Sequence, residues 1–531
     1  MREIITLQLG QQSNYVGTHF WNTQESYFTY GGEEDSHVDH DVHFRPGLGA
    51  DGTETFMPRT VIYDLKGGFG TLRRLNALYE VSDDGAPPGP WSGQTVVHRQ
   101  DPIGESAYQT SLDTGQPPPE LTTSTVRYWS DFNRVFYHPK SIIQLNEYEL
   151  NSTIMPFEKW HVGEELFASL DKEHDLVDRD LRPFIEEADQ MQGIQVMTGL
   201  DDAWCGFAAK YLESLRDEYG KLPVWIFGVQ EPVNGLPREK RLLKLVNKAR
   251  ALAEFNSQAS LVVPLALPEN PLPSSVRLNA SSPWHVSALF AAAMESTTLY
   301  TRLRTSDHVN STSMANLTDL LNVFGKQTIA NIEFSPVEPK PEQNGTNGFG
   351  VVTDERMDLH SVGHDEGQSE MGSQGGSLSL DVDLSAPQDL RLDPSYRRQK
   401  KRHVFSQVQT YRGPDDLAPE TNDEAARERA HGTRRRTKFH DYRSDVAFPI
   451  VDSYPKIFRG NRNTPINDQM ALRTALSADS SVMGKVKALR TTVTRYIGLE
   501  DRETVGNELA EIADGYKEGW SSGSDDDDDD E

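Results

Sequence analysis

Residues 1–21 read MREIITLQLGQQSNYVGTHFW. Ile4, Ile5, Leu7 and Leu9 form a short apolar run with the signature of a buried β-strand. Gly10 ends it. Gln11, Gln12, Ser13 and Asn14 then lead into Val16, Phe20 and Trp21 at helical spacing, and Ser13 or Asn14 can cap that helix. A strand, a glycine turn and a helix start can present backbone N–H groups to a phosphate at the edge of a doubly wound sheet. The same pattern is also simply the first βα unit of an α/β domain.

Met1-Arg2-Glu3-Ile4, Gly10-Gln11, Asn14, Gly17 and Phe20-Trp21 resemble the opening of the tubulins, and the wording ITLQLGQQSNYVGTHFWN is most similar to the Misato family of tubulin-related proteins. Two further stretches carry the resemblance. Pro58 to Leu65, PRTVIYDL, is similar to a tubulin strand that ends in an acid near the nucleotide and its metal, here Asp64. Gln192 to Val229 follows the tubulin run of QGFQ, strand, GGGTGSG, helix, REEY and strand. Gln192-Gly193-Ile194-Gln195 and Arg216-Asp217-Glu218-Tyr219 match it. The resemblance implies a tubulin-like α/β fold. It comprises a Rossmann-type, GTPase-like domain, an α+β second domain and C-terminal helices, with long disordered inserts. It also implies that Gly10, Gln11, Asn14 and Asp64 are the remnants of a GTP site.

Where tubulins carry GGGTGSG, this chain has Leu200-Asp201-Asp202-Ala203-Trp204-Cys205-Gly206. A phosphate cradle needs glycines so that amides can approach the oxygens without a Cβ between them. Trp204 fills space instead. A carboxylate about 4 Å from a phosphate oxygen costs about 1 kcal/mol in water and more when partly buried. Asp201-Asp202 suits a helix N-cap better than a triphosphate site. Cys205 reads as a small buried residue rather than a nucleophile. Ser313 to Leu320 is similar to a tubulin loop that reaches a neighbour's nucleotide in the polymer. Three residues after Asp319, where α-tubulin has its catalytic Glu, stands Asn322, which cannot act as a general base. Both halves of the site are degraded, so the chain is expected to be no enzyme. No cofactor is expected, with GTP the only one to consider.

Other candidates are weaker. His37, Asp39, His40, Asp41 and His43 could ligate a metal, but alternation splits them between two faces of a strand, and a polar edge strand or loop accounts for them; no metal is expected. Trp129, Phe132 and Phe136 fit a short amphipathic helix, closed by His138-Pro139-Lys140-Ser141, which could bind an anion. Phe157 to Ala188 reads as helix.

The chain has 531 residues, enough for two or three domains. Its 53 basic against 81 acidic residues leave a net charge of −28, which argues against direct nucleic-acid binding. Hydrophobic residues make up 36%, low for a wholly folded chain. One cysteine allows no internal disulfide, and no run of about 18 apolar residues suggests a transmembrane segment. Composition divides the chain into an N-terminal α/β domain (1–283, with a Pro/Gly/Ser-rich insert at 83–122), a central helix and second-domain start (284–335), a disordered linker (336–400) and a strand (401–413). A charged linker with Arg434-Arg435-Arg436 (414–440), an apolar docking segment with helices (441–519) and an acidic tail (520–531) complete it.

By the resemblance, the expected role is inheritance and distribution of mitochondria and partitioning of mitochondrial DNA. The expected location is the cytosolic face of the mitochondrion and the cytoplasm, with protein partners that include tubulin or the cytosolic chaperonin. A divergent GTP-binding, polymerising protein and a cofactor of microtubule assembly are the alternatives.

Overall fold

A computed structural model describes residues 2–29, 36–48, 54–72, 103–233, 235–268, 271–304, 312–337, 380–385, 402–414, 417, 438–460 and 463–517. Most of the proline-rich insert before residue 103, most of 336–400, Arg434–Arg436 and the acidic tail lie outside these residues.

Six strands make the first sheet, all parallel: β1 (Glu3–Leu9), β4 (Thr60–Lys66), β5 (Ile142–Glu149), β6 (Met191–Gly199), β7 (Val224–Val229) and β8 (Leu261–Leu265), in the order β5-β4-β1-β6-β7-β8. Strand β1 is buried along its whole length, as a central parallel strand covered on both faces must be. One face carries α1 (Gln11–Glu25) and α7 (Pro283–Thr298); the other carries α3 (Trp160–His174), α5 (Ala203–Tyr219) and α6 (Arg238–Gln258). The chain order reverses between β1 and β6, and ligands of such sheets bind at the carboxyl ends of strands beside that point.

A second sheet follows. Its order is β10 (Val382–Asp383), β9 (Asn331–Val337), β14 (Gln469–Asp479), β11 (Val404–Arg412), β12 (Lys438–Ser444), and β13 (Phe448–Pro449) pairs with β14. Helix α8 (Met314–Leu321) precedes it, and α9 (Ser481–Val493) and α10 (Leu499–Gly515) close the chain against α6. A small hairpin, β2 (Phe44–Leu48) with β3 (Glu54–Pro58), and two short helices, α2 (Ala107–Thr114) and α4 (Arg182–Glu186), complete the described elements. The docking segment lies on the first domain: Tyr454 donates to the Ala288 carbonyl (2.6 Å), and Trp284 Nε1 to that of Ser453 (3.2 Å).

Several expectations are corrected. The 83–122 insert contains α2, started by Ser106, whose hydroxyl accepts from Gln109 N, and stopped by left-handed Gly115. The 336–400 linker contributes strand β10, and the charged linker ends by adding β12 in parallel to β11. Backbone pairing holds β12, and β10 adds to its pairing the alternating Leu380, Val382 and Leu384, all buried. The aromatic stretch is no helix beyond one tight turn, Trp129–Phe132. Asn133 leaves it extended, and the segment runs on to Pro139 with Phe136 exposed. Within Phe157–Ala188, α3 stops at His174 because Asp175 turns left-handed (φ 48°), and one wide turn leads to α4.

Candidate functional site

The region sits at the carboxyl ends of β1, β4 and β6. Gly10 opens α1 at φ 86°, a conformation that glycine takes without strain. Space as well as torsion requires glycine there. A Cβ on Gly10 would lie 2.3 Å from Trp204 Nε1. The Trp204 indole therefore covers the turn that would approach a ligand. It packs edge-on against Phe157 and Phe207, with ring centroids 5.1 and 5.6 Å away.

Trp204 is held there by α5 itself. Asp202 is the N-cap, and its Oδ1 accepts from Trp204 N at 2.9 Å, the expected capping role. Burial, then the neighbouring Asp201 charge, pushes the Asp202 pKa up to about 7. Asp201 is buried, and burial raises its pKa to about 6 against the pull of Lys244, 3.3 Å away. Lys244 also pairs with Glu231 (3.0 Å), whose other oxygen accepts from Gln12 Nε2 (3.1 Å). Helix α6 thus supplies a tethered cation to the acids of the turn. Cys205 is fully buried, and its thiol donates to the Asp202 carbonyl.

The structure brings Asn14 and Asp64 together. Asn14 Nδ2 donates to Asp64 Oδ2 at 2.8 Å, and Asp64 Oδ1 accepts from Leu65 N at 2.8 Å. Both oxygens are engaged, the residue has no exposure, and Gly68 closes over it: a Cβ there would lie 2.3 Å from the carboxyl carbon. Burial raises the Asp64 pKa to about 7. Gln11 stands half-buried at the start of α1.

Sequence reasoning missed Asn247, an amide on α6 buried at 1% exposure. Its Oδ1 accepts from Trp160 N, and its Nδ2 donates to the carbonyls of Glu158 and Asp201. It staples the start of α3 to the 200–206 turn. Its only signal was one amide among the apolar residues of an amphipathic helix. The α3–α5 crossing it supports is close enough that a Cβ on Gly206 would lie 2.2 Å from the Trp160 carbonyl.

The other candidates fall elsewhere. Asp319 and Asn322 belong to α8 and its end, where Asn322 Oδ1 accepts from Gln327 N (2.7 Å). Met314 N at the head of α8 donates to Gln192 Oε1 (2.9 Å), so this helix lies at the amino end of β6, opposite the turn. The His37–His43 stretch is a loop with a tight turn at His40–Val42, not a strand. His40 stacks on Phe28 (3.8 Å), while His43 packs on Phe20 and Trp21. Among the described residues no cluster of three or more His, Cys, Asp or Glu side chains is placed to hold a metal. His138 caps its own turn by accepting from Lys140 N (3.1 Å), and burial lowers its pKa to about 4, which leaves the imidazole itself uncharged at neutral pH. A cavity of about 230 Å³ lies beside the turn, between Gln12 and Val16 on α1, Gln230 to Pro232 after β7, and Phe290 on α7; no residue of 200–206 lines it.

No helix among the described residues is long and apolar enough to cross a membrane. A Misato segment II tubulin-like domain matches residues 2–114, and a tubulin domain matches residues 118–303. Over their full lengths, the chain is 54% identical to Protein dml-1 of Neurospora crassa and 48% identical to Protein DML1 of Gibberella zeae. It is 27% identical to Protein DML1 of Yarrowia lipolytica, with 99% of each chain covered. Matched by these family domains over more than half its length and by relatives 54% and 48% identical over the whole of it, the chain belongs to the Misato family of tubulin-related proteins.

Proposed function

We propose that this chain is a non-enzymatic, tubulin-like protein that acts in the inheritance and distribution of mitochondria and in the partitioning of mitochondrial DNA. It works from the cytosolic face of the organelle and the cytoplasm, through protein partners that include tubulin or the cytosolic chaperonin. Membership of the family supports the cellular role. The loss of ligand chemistry rests on one observation, the Trp204 indole seated over Gly10. A nucleoside triphosphate needs free amides and a carboxylate open to its metal. Here Asp202 takes the Trp204 amide and both Asp64 oxygens are bonded inside the protein, so the residues do not fit that group.

Mass spectrometry of small molecules released from the purified full chain tests the chemistry. The expected result is no guanine nucleotide; a stoichiometric one overturns the non-enzyme reading. Imaging of mitochondria and their DNA in dividing cells depleted of the protein tests the role. Daughter cells short of either are expected, and undisturbed inheritance would sink the assignment.

A further inference from the structure

Glu295, on the last turn of α7, is 0% exposed and sits between two fully buried guanidiniums. Arg302, just beyond the same helix, donates to Glu295 Oε1 at 2.7 Å, to the Glu295 carbonyl at 2.9 Å and to Thr298 Oγ1 at 2.9 Å. It lies over the Phe20 ring of α1. Arg412 comes from the other sheet, at the end of β11. It pairs with Glu295 Oε2, donates to the Tyr27 hydroxyl (2.7 Å) and to the carbonyls of Val446 and Ala447, and lies over the Phe448 ring. Tyr27 and Gln24, from α1 and the turn after it, donate to Glu295 Oε1 (2.9 and 3.2 Å).

The cluster holds two cations and one anion. Burial opposes ionisation of Glu295, but Arg412 and then Arg302 keep its pKa below the usual range. The partners are unequal. Arg302 and Glu295 belong to the same helix end and remain a neutral pair if the second sheet moves away. Arg412 would then carry its charge into water. A buried ion left without its partner is strongly disfavoured, whereas a pair that stays intact is not. Separation at this joint therefore strands no charge on the first domain.

We propose that Glu295 and Arg412 form a releasable latch between the two sheets, with Arg302 as the counter-charge that keeps the first domain folded when the latch opens. The joint then has two discrete states, docked or open, because an intermediate gap would leave Arg412 desolvated and unpaired.

Hydrogen–deuterium exchange on the full chain tests this through two variants. Arg412→Gln removes the moving partner only. Exchange is expected to rise at least about tenfold at residues 24–28 and 446–449, on both sides of the joint, while 293–302 stays protected. Glu295→Gln strands both arginines, and all three segments should lose protection. Arg402→Ala breaks an ion pair with Glu333 and Asp479 inside the second sheet, and should leave 24–28 unchanged. The latch is overturned if Arg412→Gln also exposes 293–302, or if it affects only one side of the joint. If Glu295→Gln does not fold, the Arg412→Gln pattern alone decides.

Discussion

Gly10 and Trp204 act as one unit, because neither can change without meeting the other. Gly10→Ala adds a Cβ against the indole and forces a side chain into left-handed torsion, so a loss of about 2–4 kcal/mol is expected in urea unfolding. Trp204→Ala leaves a void under Phe157 and should cost about 3–5 kcal/mol. In the double variant the void receives the new methyl, so the combined cost should fall short of the sum by about 1 kcal/mol or more; strict additivity would mean the two do not share one space. Asp202 supplies a pH test. Its folded-state pKa is raised to about 7, so its contribution to stability is full below its unfolded value near 3.8 and is lost as pH rises through about 7. Asn caps a helix as well as Asp but does not ionise. Asp202→Asn should therefore flatten the fall in stability between pH 4 and 8, gaining about 1 kcal/mol at pH 8 for a carboxylate that is only partly enclosed. Urea midpoints at the two pH values measure it. At this scale the sequence exposed the bulky residue, the two acids and the cap. It did not expose Lys244 or Asn247, which lie about forty residues away and reach the turn only through the packing of α6.

Among the elements, those readable from sequence were the ones whose burial leaves a period. Strands β1, β4, β6 and β7 are short and mostly apolar because helices cover both faces of the sheet, α9 shows helical spacing because one side meets a core, and α7 is apolar nearly all round because it is buried on every side. The elements missed lie in stretches of polar or proline-rich composition. Strand β12, KFHDYRS, stays in place through its ladder with β11. Strand β10 pairs with β9 over two residues, and its alternating Leu380, Val382 and Leu384 are buried, a period set inside a long stretch of polar composition. Helix α2 had a legible start and stop, Ser106 and Gly115, hidden by the prolines around them. The staple between α3, α5 and α6 yields the prediction at this level. Asn247→Ala leaves Trp160 N and the Glu158 and Asp201 carbonyls without their partner, which should lower stability by about 2–4 kcal/mol and loosen the start of α3. Denaturant unfolding and amide exchange at residues 158–163 report it, and wild-type behaviour of both would remove the staple from the account.

For the whole molecule, charge is the dominant long-range quantity. A net charge of −28 opposes compactness through self-repulsion, and salt screens repulsion between exposed groups more than it weakens buried pairs such as Glu295 with Arg302. Raising ionic strength from about 10 to 150 mM, where the Debye length falls from about 30 to about 8 Å, should raise the midpoint of thermal unfolding; a lowered midpoint would mean exposed ion pairs outweigh the repulsion. The two ends of the first sheet carry the plugged turn at one and α8 at the other. What joins the two sheets could not be read: Arg412 ends a strand that resembles one of the tubulins, but its partner Glu295 is over a hundred residues away and nothing in the sequence pairs them. One further property comes from the solitary thiol. Cys205 is wholly enclosed, its thiol turned to the carbonyls of Asp202 and Asn247 where α5 meets α6, so a maleimide or disulfide reagent can reach it only when that packing opens. The chain thus carries its own breathing gauge: labelling kinetics of the unaltered protein read how often that door opens, with no second sulfhydryl to blur the count.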